Sequence, residues 1–183
     1  ASIQRFLPDF PLSASSPTSP HNPLGDTLAT DMQAVDAAIR AQLHSDVPLV
    51  SQIADYIISA GGKRIRPVLV LLTSQLGDYN NSSVIDAAVV VELTHLATLY
   101  HDDVMDEAPL RRGAASANSR WDNSVAILTG DFLFARASQI LADLGPDAVR
   151  IQALTFEELV SGQIRETIGP REGEDPIHHY LEV

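Results

Sequence analysis

The segment from about Val84 to Met105 carries few charges until it closes in Asp102-Asp103-Val104-Met105-Asp106, with Glu107 next. An apolar stretch of that length reads as a helix buried over most of its surface. At ~1.5 Å per residue it is about 30 Å long, enough to cross a small domain. A chain built around such an element is a bundle of packed helices. At ~100° per residue Asp102 and Asp106 project from one face, a turn apart. They also sit at the end of the helix where its dipole is negative. That crowding is electrostatically unfavourable. A hard divalent cation with oxygen ligands, such as Mg²⁺, relieves it, and Mg²⁺ commonly shares its coordination shell with substrate phosphates. The plainer alternative is a solvated acidic helix end.

The cations bear on that choice. Arg111-Arg112-Gly113 follows the carboxylates after a short loop beginning Ala108-Pro109, and Gly61-Gly62-Lys63-Arg64-Ile65-Arg66-Pro67 stands far upstream. Five of the twelve basic residues thus fall in two compact clusters of a chain whose net charge is −12. Concentrating cations in an acidic protein points to a bound anion, and Arg offers the planar fork suited to phosphate oxygens. Carboxylates for a metal beside guanidinium groups for phosphate suggest a diphosphate substrate. The acidic balance argues against nucleic-acid binding. With no cysteine there is neither a disulfide framework nor a thiolate metal site. No basic segment followed by an apolar core opens the chain, and uninterrupted apolar runs such as Val68 to Leu72 are far too short to span a bilayer. A soluble, cytoplasmic protein without a transmembrane segment is expected.

Aromatics make up 5% of the residues against 45% apolar overall, which favours helices over a sandwich or barrel of strands. Residues 1–24 form a Pro/Ser-rich tail that cannot build a core. Residues 25–183 form the helical domain. Leu28, Met32, Val35, Ile39 and Leu43 recur at helical spacing. Pro48 opens a second helix ended by Gly61-Gly62. Pro67 starts a third, ending near Gly77. After the long fourth helix come helices from about Asn123 to Leu144 and from about Asp147 to Ile168. Asp175-Pro176 reads as an N-cap with proline at the first helical position. No alternating strand is evident. The expected fold class is all-α.

His95 lies two turns before Asp102 on almost the same face, so it lines the same pocket and can donate to a phosphate oxygen. Glu92, on the flank of that stripe, is read as structural. Taken together, the Gly61–Pro67 motif, His95 with His101 to Asp106, Arg111-Arg112-Gly113 and the Asn123–Ala137 helix around Gly130-Asp131-Phe132-Leu133 resemble the trans-isoprenyl (polyprenyl) diphosphate synthases. The resemblance covers about Asp26 to the end. It implies an isoprenoid-synthase-type helical bundle, working as a homodimer, that condenses isopentenyl diphosphate with an allylic diphosphate in a Mg²⁺-dependent reaction.

The resemblance also implies roles. Lys63, Arg66, His95 and Arg112 match residues that hold the diphosphate of isopentenyl diphosphate. Arg111 matches the residue contacting the allylic diphosphate, and Asp102 and Asp106 match its Mg²⁺ ligands. Asp103 points about 100° away and acts behind them. Gln163 resembles a family glutamine near the allylic site. At Ala97 and Thr98, with Thr94 a turn earlier, family members making short products carry a bulky aromatic. None stands here, and Tyr100 points roughly 160° from Asp102, so a medium or long product is expected. The family's second aspartate-rich motif and Lys-Thr pair are missing, which makes the chain look like a fragment, inactive alone. The competing readings are a non-catalytic partner subunit of a heteromeric synthase, a geranylgeranyl-length synthase, a class I terpene cyclase and a helical scaffold.

Overall fold

The computed structural model describes residues 23–183, so the expected tail lies almost wholly outside the described residues. Its last two positions, Pro23 and Leu24, open a helix. The elements in chain order are α1 (Pro23–Gln42), α2 (Pro48–Ser59), α3 (Ile65–Ser74), α4 (Ser83–Met105), β1 (Leu110–Arg111), β2 (Ala114–Ala115), α5 (Ala117–Arg120), α6 (Asn123–Leu144), α7 (Pro146–Ile168) and α8 (Pro176–Glu182). The all-α expectation holds, apart from one short hairpin.

The chain divides into two compact units, the first ending at Ala137 and the second running Ser138–Val183. In the first unit α4 is the hub, packing against α1 and α3, and against α5 near its C-terminal end. Val89, Leu93, Leu96, Ala97 and Tyr100 of α4 are fully or almost fully buried. Leu28, Val35 and Ile39 of α1 are buried as well, with Leu43 just after it, four of the five apolar positions that the spacing singles out. Ile53, Ala54, Ile57 and Ile58 supply the buried face of α2. Each large aliphatic side chain buried here contributes roughly 1.5–3 kcal/mol. Tyr100 donates its hydroxyl to the Ile53 carbonyl, which satisfies the one polar atom it carries into the core.

Although uninterrupted apolar runs are short, α4 and α6 as whole helices are long and apolar enough to cross a membrane by length and composition. For α4, half of that apolar window is buried inside the chain, as expected of a core helix.

Two boundaries differ from expectation. α3 begins at Ile65, before Pro67, because a proline within the first helical turn forfeits no intrahelical hydrogen bond. Beyond Ser74 it tapers through i→i−3 bonds, Leu76 to Thr73 at 3.0 Å and Gly77 to Ser74 at 3.0 Å. In the second unit α7 starts at Pro146 in place of Asp147. There Asp175 caps α8, accepting from the Ile177 amide at 3.0 Å with Pro176 next. Arg165 of α7 donates to the Glu182 carbonyl at 2.7 Å.

Candidate functional site

Three pieces of the first unit carry the residues of interest: the C-terminal turns of α4, the α2–α3 loop and the hairpin β1–β2. On α4, His95 and Asp102 are half-buried, whereas Asp106, the residue capping the helix, is exposed. The Asp106 amide donates to the Asp102 carbonyl at 2.8 Å, so the two carboxylates remain one helical turn apart. Among the described residues neither makes a direct ion pair. Asp103 differs from both. Its side chain has no exposure, and its Oδ1 accepts from Arg111 Nε at 2.7 Å with Nη2 2.5 Å away.

The α2–α3 loop is pinned by Arg64. This residue adopts a left-handed conformation (φ 48°) and sends its side chain inward, Nε 3.1 Å from Asp36 of α1 and Nη1 2.9 Å from Glu92 of α4. Glu92 is 3% exposed at its side chain and Arg64 10%, so the pair is a buried structural tie. The structural role expected of Glu92 is thus matched by a specific partner. With Arg64 turned inward, Lys63 and Arg66 on either side of it are exposed.

The segment read from sequence as a loop is a hairpin with a two-residue turn, pairing Leu110 with Ala115 and Arg111 with Ala114. Its turn residues Arg112 and Gly113 have φ of 52° and 81°. Two positive φ values in succession mark the type I′ turn, whose twist matches that of the flanking strands. Glycine takes such a φ freely. Arginine does not, and Arg112 is held there by donating from Nη1 to the Ile57 carbonyl at 3.0 Å and to the Gly61 carbonyl. Both acceptors belong to the C-terminal end of α2 or the residues just after it, where unpaired carbonyls attract cations. At Gly62 the φ of 154° already disfavours a side chain, and a Cβ there would also meet the Arg112 guanidinium at 2.9 Å. Arg111, the last residue of β1, turns to α4, and Arg112, in the turn, reaches the end of α2 and the loop after it. Tyr56 of α2 steadies the second strand, donating to the Ala115 carbonyl at 2.9 Å. Arg120 stacks 4.7 Å from the Tyr56 ring centre and 4.9 Å from that of Trp121.

These pieces converge electrostatically on His95. Burial, and then the fields of Arg66, Arg112, Arg111 and Arg64, lower its pKa to about 4. The imidazole is therefore neutral at pH 7, a hydrogen-bond donor and a poor base. Asp102 is shifted in the opposite sense to a salt-bridged carboxylate. Burial and then the Asp106 charge raise its pKa, and Arg111 only partly offsets them. Arg112 is lowered by its burial and by Arg64.

Asp102 and Asp106 offer hard oxygen donors, mutually repelling and without a direct cationic partner, and that donor set suits Mg²⁺. Among the described residues no group of three or more His, Asp or Glu side chains converges as a metal cluster. An ion held here would therefore take further ligands from phosphate or water.

The structure thus brings Arg66, Arg111 and Arg112 within electrostatic reach of His95, and Arg111 and Asp106 within reach of Asp102, so that Arg111 links the two. Gln163 is exposed on α7 in the second unit. Thr94 and Ala97 are buried, and Thr98 is half-buried. The hidden partners of the cations are what sequence reasoning missed: Asp36 for Arg64, Asp103 for Arg111, and backbone carbonyls for Arg112. The one available signal was Arg112-Gly113, a turn dipeptide once the flanking pairs are recognised as strands.

Known proteins place this arrangement. A nonaprenyl diphosphate synthase of Mycobacterium tuberculosis is 46% identical over 173 residues, covering 86% of this chain and 52% of its own length. Among solved structures, a decaprenyl diphosphate synthase from Rhodobacter capsulatus superposes with a TM-score of 0.81 at 38% identity, over 89% of this chain and 51% of that one. A geranylgeranyl pyrophosphate synthase from Corynebacterium glutamicum, complexed with calcium and isoprenyl diphosphate, superposes with a TM-score of 0.77 at 49% identity, over 88% and 49%. The chain spans about half the length of the curated relatives it matches. Since the sequence pattern of the polyprenyl synthetases matches residues 47–183, the chain belongs to the polyprenyl synthetase family.

Proposed function

We propose that this chain carries the diphosphate-handling half of a Mg²⁺-dependent polyprenyl diphosphate synthase that condenses isopentenyl diphosphate with an allylic diphosphate. The observation that supports it most is that Arg111 acts both on neutral His95, beside Arg66 and Arg112, and on Asp102, which stands one turn from Asp106 at the end of the same helix.

In this reading the C–O bond of the allylic diphosphate ionises to an allylic cation and pyrophosphate. Asp102 and Asp106 would hold Mg²⁺, which when bound would supply charge neutralisation for the departing pyrophosphate. Arg111 donates to the same group through N–H bonds aimed where negative charge develops. Lys63, Arg66, Arg112 and His95 hold the diphosphate of isopentenyl diphosphate, His95 as a neutral donor. The double bond of isopentenyl diphosphate then attacks the allylic cation, and the proton it sheds passes to the released pyrophosphate. Gln163 near the allylic site, homodimeric assembly and cytoplasmic residence belong to the same proposal and rest on the resemblance alone.

A medium or long product is favoured by the small residues Ala97 and Thr98 on the approach to Asp102. The 49% identity to a geranylgeranyl synthase favours a second reading, in which the product stops at that length. Isothermal calorimetry tests the shared core of both. Pyrophosphate affinity should rise strongly with Mg²⁺ and fall at least tenfold in Asp102→Ala, about 1.4 kcal/mol or more. Equal affinity in parent and variant would show the site to be elsewhere.

A further inference from the structure

Asp103 is the one carboxylate of the acidic run that the fold has closed off, and Arg111 meets it along one edge. Nε and Nη2 both reach the single oxygen Oδ1, at 2.7 and 2.5 Å. Both protons of Nη1 and the second proton of Nη2 remain uncommitted. Arg111 is 27% exposed at its side chain against none for Asp103, so solvent reaches the guanidinium but not the carboxylate. We propose that Asp103 is a positioning residue for Arg111, gripping the inner edge of its guanidinium so that the outer edge is presented, preformed, to the diphosphate of the allylic substrate. This rests on the function proposed above and assigns a residue to it.

Two observations argue against a purely structural pair. The hairpin has other anchors to the helices: Arg112 on the Ile57 and Gly61 carbonyls and Tyr56 on the Ala115 carbonyl. Arg111 is therefore not its sole tie to the helices. Further, Asp103 Oδ2 is buried with no hydrogen-bond partner among the described residues. Buried ion pairs are poor stabilisers, and an apolar pair of similar volume often serves stability as well or better. A half-satisfied carboxylate is therefore a costly way to fasten a loop. It is an efficient way to orient a guanidinium, because a long side chain held in its binding rotamer loses less entropy when the anion arrives. Lysine could not replace Arg111, since a single ammonium cannot grip with one edge and present another.

The sign of one measurement separates this from a through-space effect. Deleting a negative charge near an anion site should tighten anion binding. If Asp103 positions Arg111, deleting it should weaken binding instead. Calorimetric titration of inorganic pyrophosphate in excess Mg²⁺ should therefore give about tenfold weaker binding in Asp103→Asn than in the parent. In the Arg111→Gln background the same substitution should have no effect or tighten binding. Tighter binding in Asp103→Asn alone, or equal weakening in both backgrounds, overturns the proposal. A parent that binds no pyrophosphate overturns the site reading as well, so the two failures are distinguishable.

A second measurement needs no carboxylate variant. In ¹⁵N-arginine spectra of the ligand-free parent, assigned through Arg111→Lys, the Arg111 guanidinium should rotate slowly and show resolved Nη signals. Free rotation overturns the proposal even if Asp103→Asn cannot fold.

Discussion

The fold shifts the proton equilibrium of His95 strongly. Its pKa is about 4 in the folded chain against 6.5 unfolded, because burial and four guanidinium fields all oppose a charged ring. Between those values the unfolded chain takes up a proton that the folded chain refuses, so stability rises with pH across that window. The neutral ring costs nothing above pH 6.5, and stability is lost as pH falls from there toward 4. His95→Gln should remove that part of the acid sensitivity. Melting temperatures of the parent are expected to drop between pH 7.5 and pH 5, and those of the variant to drop less. Parallel curves would mean that the histidine is not the titrating group. Asp102, with its pKa raised by burial and by Asp106, works in the opposite sense: its ionised form is disfavoured, so protonation relieves the site at lower pH.

Among the elements, the α2–α3 loop depends on one internal cation. Removing Arg64 strands the buried Glu92 carboxylate, and Arg64→Ala should cost about 3–5 kcal/mol in urea denaturation. Arg40→Ala is the control. Arg40 pairs with Asp55 at 2.7 Å, but both side chains are about half exposed, so its loss should cost less than ~1 kcal/mol. On α4 the two positions proposed to set chain length are unequal. Ala97 is fully buried, and Phe there would overpack the core, whereas half-buried Thr98 has room for a larger group. Thr98→Phe should therefore shorten the product of the complete enzyme, read by chromatography of labelled products, while primer ionisation continues. An unchanged length distribution would place the tunnel elsewhere. Helices α2 and α6 were legible because their limits are written locally, in Pro48 at a first turn and Gly145-Pro146 at a stop. The hairpin was not, since two-residue strands are too short to show a period and its turn puts an arginine where asparagine or glycine is usual. Nor were the partners of the cations. Arg64 finds Glu92 across 28 positions and Arg112 finds Ile57 across 55, distances over which pattern carries no information.

Over the whole chain, the residues proposed to handle diphosphate fall in a stretch that spans about half the length of its relatives. These residues contain one aspartate-rich pentad, and the relatives they match are about twice as long. The 183 residues alone are expected to yield no extractable product from labelled isopentenyl diphosphate and an allylic primer, while still binding pyrophosphate with Mg²⁺. Clear turnover by that species would mean that one pentad suffices. The two-residue turn of the hairpin bears on how such a chain can diverge. Arg111 and Arg112 are chemically identical, so exchanging them changes nothing. What distinguishes them is only their count from the turn. One codon inserted between Asp106 and Arg111 keeps every functional residue yet puts the hairpin out of step with the helix before it. One codon inserted in the turn itself breaks the pairing of Arg111 with Ala114. This stretch should therefore tolerate changes of letter at Leu110 or Ala115 far better than changes of length, and natural variation here should appear as substitutions without gaps.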